Sequence, residues 1–347
     1  MMHALALLVV LVVCTNLTGC GNAPRDDAQQ VVVYTSVDRV FAEPVLREAG
    51  QVLGLRVVGV YDTEETKSTG LVNRLLARKN NPDGDIFWSG DPGRAALLKL
   101  EDVTDAYRSP AAAGIPPVFA DPDGHWTGFS ARARVLLVNT DLVPEGQEPK
   151  RLADLVNPAW KGRVAFANPL FGTTSYHVAA LFDAWGDEQA WKWLHELKQN
   201  DVQIVSSNGE VKRRVASGQA AVGLTDTDDA AEAIKDSQPV RMVFLDQVPL
   251  SEGDSALGTL VIPNTLSLIR NGPNPEGAKV VLDYLLSPEV QVMLAKSCAQ
   301  APLSPNVPVT SDAFPVATVR PMQTDYARVA QRLDALMGEL KRWVENP

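Results

Sequence analysis

The stretch TDTDD, Thr225–Asp229, has three carboxylates in five residues and is the first candidate for a functional site in this chain. An apolar segment precedes it and a helical pattern follows it, so the stretch occupies a strand-to-helix loop. Carboxylates there can bind a metal ion, pair with a ligand's positive charge, or cap a helix in solvent. Thr225, Asp226 and Asp228 are the ligand-binding candidates, whereas Asp229 is expected to cap the helix and favour its dipole.

Several other loops between predicted strands and helices are polar and rich in small residues. They are YTSVD at 34–38, DTEETKS at 62–68, SGD at 89–91, NPLFGTTS at 168–175 and SNGE at 207–210. In open α/β sheets, ligands bind beyond the carboxyl ends of the strands, where such loops lie. Further candidates for ligand binding are therefore Ser36, Glu65, Ser89, Asp91, Gly172, Thr173, Thr174 and Asn208.

Two features favour a negatively charged group on the ligand. The segment Gly172–Ser175 precedes a helix, whose free backbone N–H groups and dipole attract an anion; simple helix capping is the alternative. Arg132 and Arg134 share one face of a predicted strand because side chains repeat every second residue. In a cleft these arginines would bind an anion, and on an exposed strand they would be solvated.

Signals for catalysis are weak. The sequence contains no nucleophile-elbow, zinc-protease, phosphate-loop or dinucleotide-binding motif. Its histidines are scattered, and only His177, close to the Thr173–Thr174 pair, is a candidate for the site. These observations predict a binding protein that is not an enzyme.

The N-terminus predicts export. An apolar run, Ala4–Val13, is too short to span a bilayer and is followed by LTGC, Leu17–Cys20. This ending resembles the bacterial lipoprotein signal, in which residues 1–20 form the signal peptide region and Cys20 becomes the lipidated first residue. Residues 21–30 read as a polar tether, and the alternative is an uncleaved membrane anchor. The expected location is the periplasm or the outer face of the cell membrane.

The length, net charge and cysteine content of the chain limit its possible domain organisation, partners and metal sites. About 320 residues follow the tether, more than one hydrophobic core usually supports, so two lobes are expected. The net charge of −10 argues against a nucleic-acid partner. Beyond the signal and Cys20 only Cys298 remains, which excludes a cysteine-based metal site in the body of the chain.

Strand and helix patterns alternate along the chain, which predicts an α/β fold with a largely parallel sheet. The segment HWTGFSARARVLLVNT, 125–140, is a strand long enough to cross between lobes. A helix is expected at LADLV, 152–156, a helix pair split near Pro288 follows later, and an amphipathic helix ends the chain.

The chain resembles the periplasmic ferric-iron-binding proteins and related extracellular solute-binding proteins of ABC importers. The resemblance rests on the order of its loops and on LADLVNPAWKGRV, 152–164, and NPEGAKVVLDYLLSPE, 274–289. It implies a two-lobed type II periplasmic-binding-protein fold, each lobe a mostly parallel sheet flanked by helices, joined by crossing strands. The lobes are expected at 31–128 plus 257–296 and at 129–256 plus 297–347.

The resemblance leaves the ligand open. Iron-binding members carry adjacent tyrosines at the position where this chain reads Thr225–Asp228. Fe³⁺ would then be held by Asp226 and Glu65, with a synergistic anion at Gly172–Thr174. The other expectation is a small phosphate or phosphonate compound with its anion on Gly172–Ser175, Ser36 and Arg132, and an ammonium group on Asp226 or Asp228. No cofactor is expected other than such an ion.

The resemblance also implies a partner, an ABC permease in the inner membrane, to which a monomeric protein delivers its ligand. Two other functions are weighed against transport: an enzyme on the same two-lobed fold, and a ligand sensor for a membrane receptor. An enzyme would require Cys298 or His177 to line the cleft beside a carboxylate.

Overall fold

The computed structural model describes residues 30–61, 70–249, 256–305, 307–308 and 313–345. The strands are β1 (Gln30–Thr35), β2 (Arg56–Tyr61), β3 (Ile86–Ser89), β4 (Thr104–Asp105), β5 (Thr127–Asn139), β6 (Val164–Ala167), β7 (Gln203–Val205), β8 (Val222–Asp226), β9 (Val240–Val243), β10 (Val261–Ile269) and β11 (Ala301–Pro302).

The α-helices follow the strands in the expected alternation. They are α1 (Arg39–Leu53), α2 (Gly70–Ala77), α3 (Pro92–Leu100), α4 (Gly172–Trp185), α5 (Asp187–Gln199), α6 (Asn208–Ala216), α7 (Thr227–Lys235), α8 (Pro275–Leu285), α9 (Pro288–Cys298) and α10 (Tyr326–Glu345). The helix expected at 152–156 is a 3-10 helix, followed by a second 3-10 turn at Pro158–Trp160, because Pro158 disfavours continuation of a helix through Asn157.

The strands form two groups that share β5. In the first group the order is β2-β1-β3-β10-β5, and in the second it is β5-β8-β6-β7. Strands β1, β2 and β3 are parallel to one another, as are β6, β7 and β8. Strand β10 runs antiparallel to β3, and β5 runs antiparallel to both β10 and β8, so each group adds antiparallel pairs to a parallel core. The two-lobed α/β architecture is confirmed.

Strand β5 changes partners along its length. Residues up to Ala133 pair with β10 and β11, and residues from Arg134 onward pair with β8 and β9. The prediction that this strand crosses between lobes is confirmed. All but one of its residues are buried, which agrees with the continuous apolar run Val135–Val138 in its second half.

Apolar side chains form separate cores on the two groups of strands. One core surrounds Trp88 and Phe129 of the first group, and another surrounds Phe166 and Trp193 of the second. Helix α10 packs against both α3 and α4, so the C-terminal helix contacts both lobes. The proposed lobe boundaries, 31–128 plus 257–296 and 129–256 plus 297–347, stay a prediction. Within the described residues, no helix is long and apolar enough to cross a membrane.

A buried carboxylate, Glu148, fixes the loop before the 3-10 helix at Leu152–Val156. It is 9% exposed, and it accepts hydrogen bonds from Arg241 Nη2 at 2.7 Å, from Gly146 N at 2.8 Å and from Lys150 Nζ. Burial alone would raise its pKa, but the hydrogen bonds from Lys150 and Arg241 and from the backbone lower the pKa of Glu148 to about 2.

We expect Glu148→Gln to lower the free energy of unfolding at pH 7 by roughly 2–3 kcal/mol. The folded-state pKa lies below the ordinary value of 4.5, so this stability is present above pH 4.5 and is lost as the pH falls toward 2. The deficit of the variant should therefore shrink by more than half between pH 7 and about pH 3. Urea unfolding at both pH values measures it, and a deficit independent of pH would contradict the assignment.

Candidate functional site

A cleft of about 790 Å³ lies between the two lobes. Its polar lining comes from the ends of helices that follow strands, the position expected for ligands in open α/β folds. The first lobe contributes the start of α1 and α3, and the second contributes the start of α4, α6 and α7. Polar residues that line the cleft include Ser36, Gly90, Asp91, Arg94, Arg132, Gly172, Thr173, Ser175, Ser207, Asn208, Asp228, Asn264 and Gln300.

A buried ion pair organises the second-lobe wall. Arg134 and Asp226 lie directly opposite each other on β5 and β8, and Arg134 Nη1 donates to Asp226 Oδ1 at 2.6 Å. Their side chains are 1% and 6% exposed. The other carboxylate oxygen, Oδ2, accepts from Thr173 Oγ1 at 2.6 Å and from Asn208 Nδ2 at 3.1 Å. This network fixes the starts of α4 and α6 relative to β8.

Arg132 lies nearer the opening and connects the lobes. Its Nη1 donates to the carbonyl of Gly90 at 2.8 Å, and its Nε lies 3.6 Å from Asp226 Oδ2. The Gly90 N–H in turn donates to Ser36 Oγ at 2.9 Å. The guanidinium thus touches the first-lobe loop on one side and the second-lobe network on the other, and it lines the cleft.

The N-terminus of α4 faces the cleft. Gly172 begins the helix with φ +58°, and the residue before it, Phe171, makes no side-chain cap hydrogen bond. The first N–H groups of a helix have no partner within the helix. The hydroxyls of Thr173 and Thr174 contact Arg134 and Asn208, so they serve the buried network. Backbone N–H groups, and not these hydroxyls, are what α4 offers an anion.

The three aspartates of TDTDD have different surroundings. Asp226 is buried in the network, while Asp228 lines the cleft. Asp229 lies in the first turn of α7, where it favours the dipole but does not cap the helix; Asp226 occupies the cap position. The expectation that Asp229 caps α7 is therefore wrong, because its carboxylate accepts from Thr225 Oγ1 at 3.0 Å instead.

The pKa values of Asp228 and Asp229 are both raised. Burial, followed by the negative charge of Asp226, raises the pKa of Asp228 to about 7, and Arg132 opposes this shift. Burial and Asp226 also raise the pKa of Asp229. One carboxylate oxygen from each of Asp226, Asp228 and Asp229 lies within 4.8 Å of the others, a spacing that a cation can bridge.

Most predicted site residues of the described chain converge here. Those that line the cleft are Ser36, Asp91, Arg132, Gly172, Thr173, Asn208 and Asp228. Others lie behind its wall: Ser89 accepts from Asp91 N, Thr174 contacts Arg134, Thr225 is fully buried, and Asp226 pairs with Arg134. Glu65 and Cys20 lie outside the described residues.

Histidine and cysteine do not assemble a catalytic set in the described part of the cleft. His177 is buried on α4 and is not among the lining residues; burial and Arg134 hold its pKa well below the usual range. Cys298 does line the cleft, but burial raises its pKa to about 11, which keeps the thiol protonated and a poor nucleophile.

Sequence reasoning named Arg134 beside Arg132 through their even spacing, but it did not foresee that Arg134 pairs with Asp226, and it missed Phe171. Phe171 is 65% exposed at the cleft, although it lies within a loop chosen for its polar residues.

Each tyrosine hydroxyl either donates a hydrogen bond to another group of the protein or lies outside the cleft lining. Tyr176 lines the cleft, yet its hydroxyl donates to the carbonyl of Tyr326 at 3.0 Å. The hydroxyls of the others donate to Asp83 (Tyr34), Asp283 (Tyr107), Glu48 (Tyr284) and the Val261 carbonyl (Tyr326), and Tyr61 lies on β2 outside the lining. No described phenol is therefore free to bind a metal in the cleft.

Comparison with known proteins agrees with this architecture. Residues 84–329 match the sequence profile of the bacterial extracellular solute-binding proteins. The chain is 25% identical over 306 residues to iron uptake protein A1 of Synechocystis sp., covering 84% of this chain and 83% of that protein.

Two solved structures share the fold. The Trichodesmium protein IdiA (FutA), in complex with iron and citrate, superposes with a TM-score of 0.78 at 23% identity, covering 90% of this chain and 99% of that one. The periplasmic binding protein AfuA from Actinobacillus pleuropneumoniae, with fructose-6-phosphate bound, superposes with a TM-score of 0.73 at 22% identity, covering 90% and 98%. The type II periplasmic-binding-protein fold is thereby confirmed.

Proposed function

Because this chain belongs to the family of bacterial extracellular solute-binding proteins, we propose that it is the substrate-binding component of an ABC importer. It captures a small ligand between its lobes, closes, and delivers the ligand to a permease in the inner membrane. The cleft between two lobes joined by β5 supports this cycle, since hinge closure around a ligand is how such two-lobed proteins work.

The proposed ligand is a small phosphate ester or phosphonate. The observation that carries this proposal is the meeting of Arg132 with the uncapped N-terminus of α4 in one cleft. A guanidinium presents paired donors that match the oxygens of such a group, and a helix N-terminus adds backbone donors and a favourable dipole. AfuA, the relative with a sugar phosphate bound, supports the same class of ligand.

A positive group on the ligand would pair with Asp228 rather than with Asp226. Asp226 already has Arg134 as its ion-pair partner at 2.6 Å, so its charge is balanced within the protein. Asp228 lines the cleft and accepts a hydrogen bond from the Asp229 N–H at 3.1 Å. An ammonium next to Asp228 would keep that carboxylate ionised, and an aminoalkyl phosphonate carries both that ammonium and an anion for Arg132.

Ferric iron is the second candidate, favoured by the names of the relatives and by the cluster of Asp226, Asp228 and Asp229. Carboxylate oxygens suit this hard cation. Iron would be held by Asp226 and Asp228, with Glu65 as a further proposed ligand and a synergistic anion at the start of α4. Two guanidinium groups beside Asp226 oppose a trivalent cation, and for this reason we place iron second.

Thermal shift of the purified protein separates the two ligands. The probes are inorganic phosphate, methylphosphonate, 2-aminoethylphosphonate and Fe³⁺–citrate, because a ligand that binds only the folded state raises Tm. We expect a rise with the phosphonates, largest for the amino compound, and loss of that extra rise in Asp228→Asn. A rise with Fe³⁺–citrate alone, abolished by Asp228→Asn, would instead establish the iron role.

We also propose that the protein is a lipoprotein anchored through Cys20 at the outer face of the membrane. The LTGC sequence supports this anchor. Metabolic labelling with an alkyne fatty acid should mark the wild type and not Cys20→Ala, which should leave the membrane fraction. Equal labelling of both proteins would contradict the anchor.

A further inference from the structure

Apolar side chains also line the cleft. They come from three helices and from the loop before α4, and they include residues of both lobes and of the C-terminal helix. The members of this set are Phe41 of α1, Leu97 and Leu100 of α3, Leu170 and Phe171 of the loop, and Leu333 and Met337 of α10. We call this set the apolar wall.

Phe171 is the most unusual member of the apolar wall. It is 65% exposed, and it immediately precedes Gly172, the first residue of α4. A large aromatic side chain is therefore held in solvent directly beside the backbone donors proposed to bind the anion. Such exposure forgoes the stabilisation that burial of an aromatic ring gives, which a bound ligand can restore.

The cleft is large enough for a ligand bigger than a bare ion or inorganic phosphate. A cavity of about 790 Å³ lies in the range of roughly 300–1,000 Å³ that is typical of sites for drug-sized organic molecules. A bare ion or inorganic phosphate would leave most of this space, and all of the apolar wall, in contact with water. Leu100 of the wall is itself 53% exposed.

We infer that the ligand carries a flat apolar body attached to its phosphate or phosphonate, and that Phe171 selects this body by packing against it. The anion would sit on Arg132 and the start of α4, while the apolar body extends along the wall toward α3 and α10. This inference rests on the proposed phosphate or phosphonate function, and it adds Phe171 as the residue that determines specificity.

The experiment compares two probes that differ only in the apolar body, methylphosphonate and phenylphosphonate. Isothermal titration calorimetry on the wild-type protein should give a Kd for phenylphosphonate about 10-fold or more below that for methylphosphonate. In Phe171→Ala this preference should fall to about 2-fold, chiefly because the Kd for phenylphosphonate rises. Val52→Ala, which removes an exposed apolar side chain from the far end of α1, is the matched control and should keep the preference.

The outcomes separate this inference from the proposed function. If both phosphonates bind the wild type with equal Kd, the phosphonate function stands and the role of Phe171 is wrong. A preference retained in Phe171→Ala would likewise overturn that role. If neither phosphonate binds, the proposed ligand class and the inference both fail.

Discussion

Replacing Arg134 by alanine should lower the free energy of unfolding by about 3–5 kcal/mol, the largest effect we expect from any single change in the site. The substitution leaves Asp226 buried, with its closest ion-pair partner removed; Arg132 Nε, at 3.6 Å, is too distant to replace it. It also removes the donor that contacts Thr173 and Asn208. Urea or guanidinium unfolding of the purified variant measures the loss.

Two comparisons make this result specific. Arg39→Ala breaks the ion pair of Arg39 with Glu43, whose side chains are 67% and 46% exposed, and should leave the denaturation midpoint essentially unchanged. The double variant Arg134→Leu with Asp226→Leu should be less destabilised than the sum of the two single variants, since no buried charge is left alone. Additive losses would show that the pair does not act as a unit.

Replacing Arg132 by alanine should raise the Kd for methylphosphonate about 30-fold or more, because the ligand's charge would lose its paired donor inside the cleft. Arg132→Lys should recover only part of this affinity, since an ammonium lacks the planar fork of donors. Calorimetric titration of the three proteins gives the comparison.

Stability separates the role of Arg132 from that of Arg134. Because Asp226 keeps its 2.6 Å contact with Arg134, Arg132→Ala should cost no more than about 1 kcal/mol of unfolding free energy. A large loss of stability with an unchanged Kd would mean that Arg132 holds the lobes together through Gly90 and does not bind the ligand.

Much of the fold could be predicted from local patterns. The alternation of strands and helices, the long strand over 127–139 and the break before Pro288 follow from side-chain periodicity and from the effect of proline on its neighbours. The polar loops gather at one cleft because parallel strands end at the same edge of a sheet.

Which side chains contact one another inside the site could not be predicted from local patterns. Arg132 and Arg134 share a strand face, but only the register of β5 against β8 places Arg134 opposite Asp226. That register is a long-range property, because it pairs residues 84 to 92 positions apart in the sequence, which periodicity does not determine. Phe171 was missed for a related reason: its importance depends on exposure at a cleft built from several distant segments.

The change of partners in the middle of β5 has a mechanical consequence. The strand belongs to one sheet up to Ala133 and to the other from Arg134, so a rotation between the lobes is concentrated near this peptide. Each half of the strand is six or seven residues, or roughly 20 Å, long. A bend of about 20° between the two arginines displaces the far ends of the strand by roughly 7 Å. The guanidinium groups of the two arginines, which lie close to the bend, move far less. The ion pairs of the two arginines with Asp226 can therefore persist while the outer parts of the lobes move.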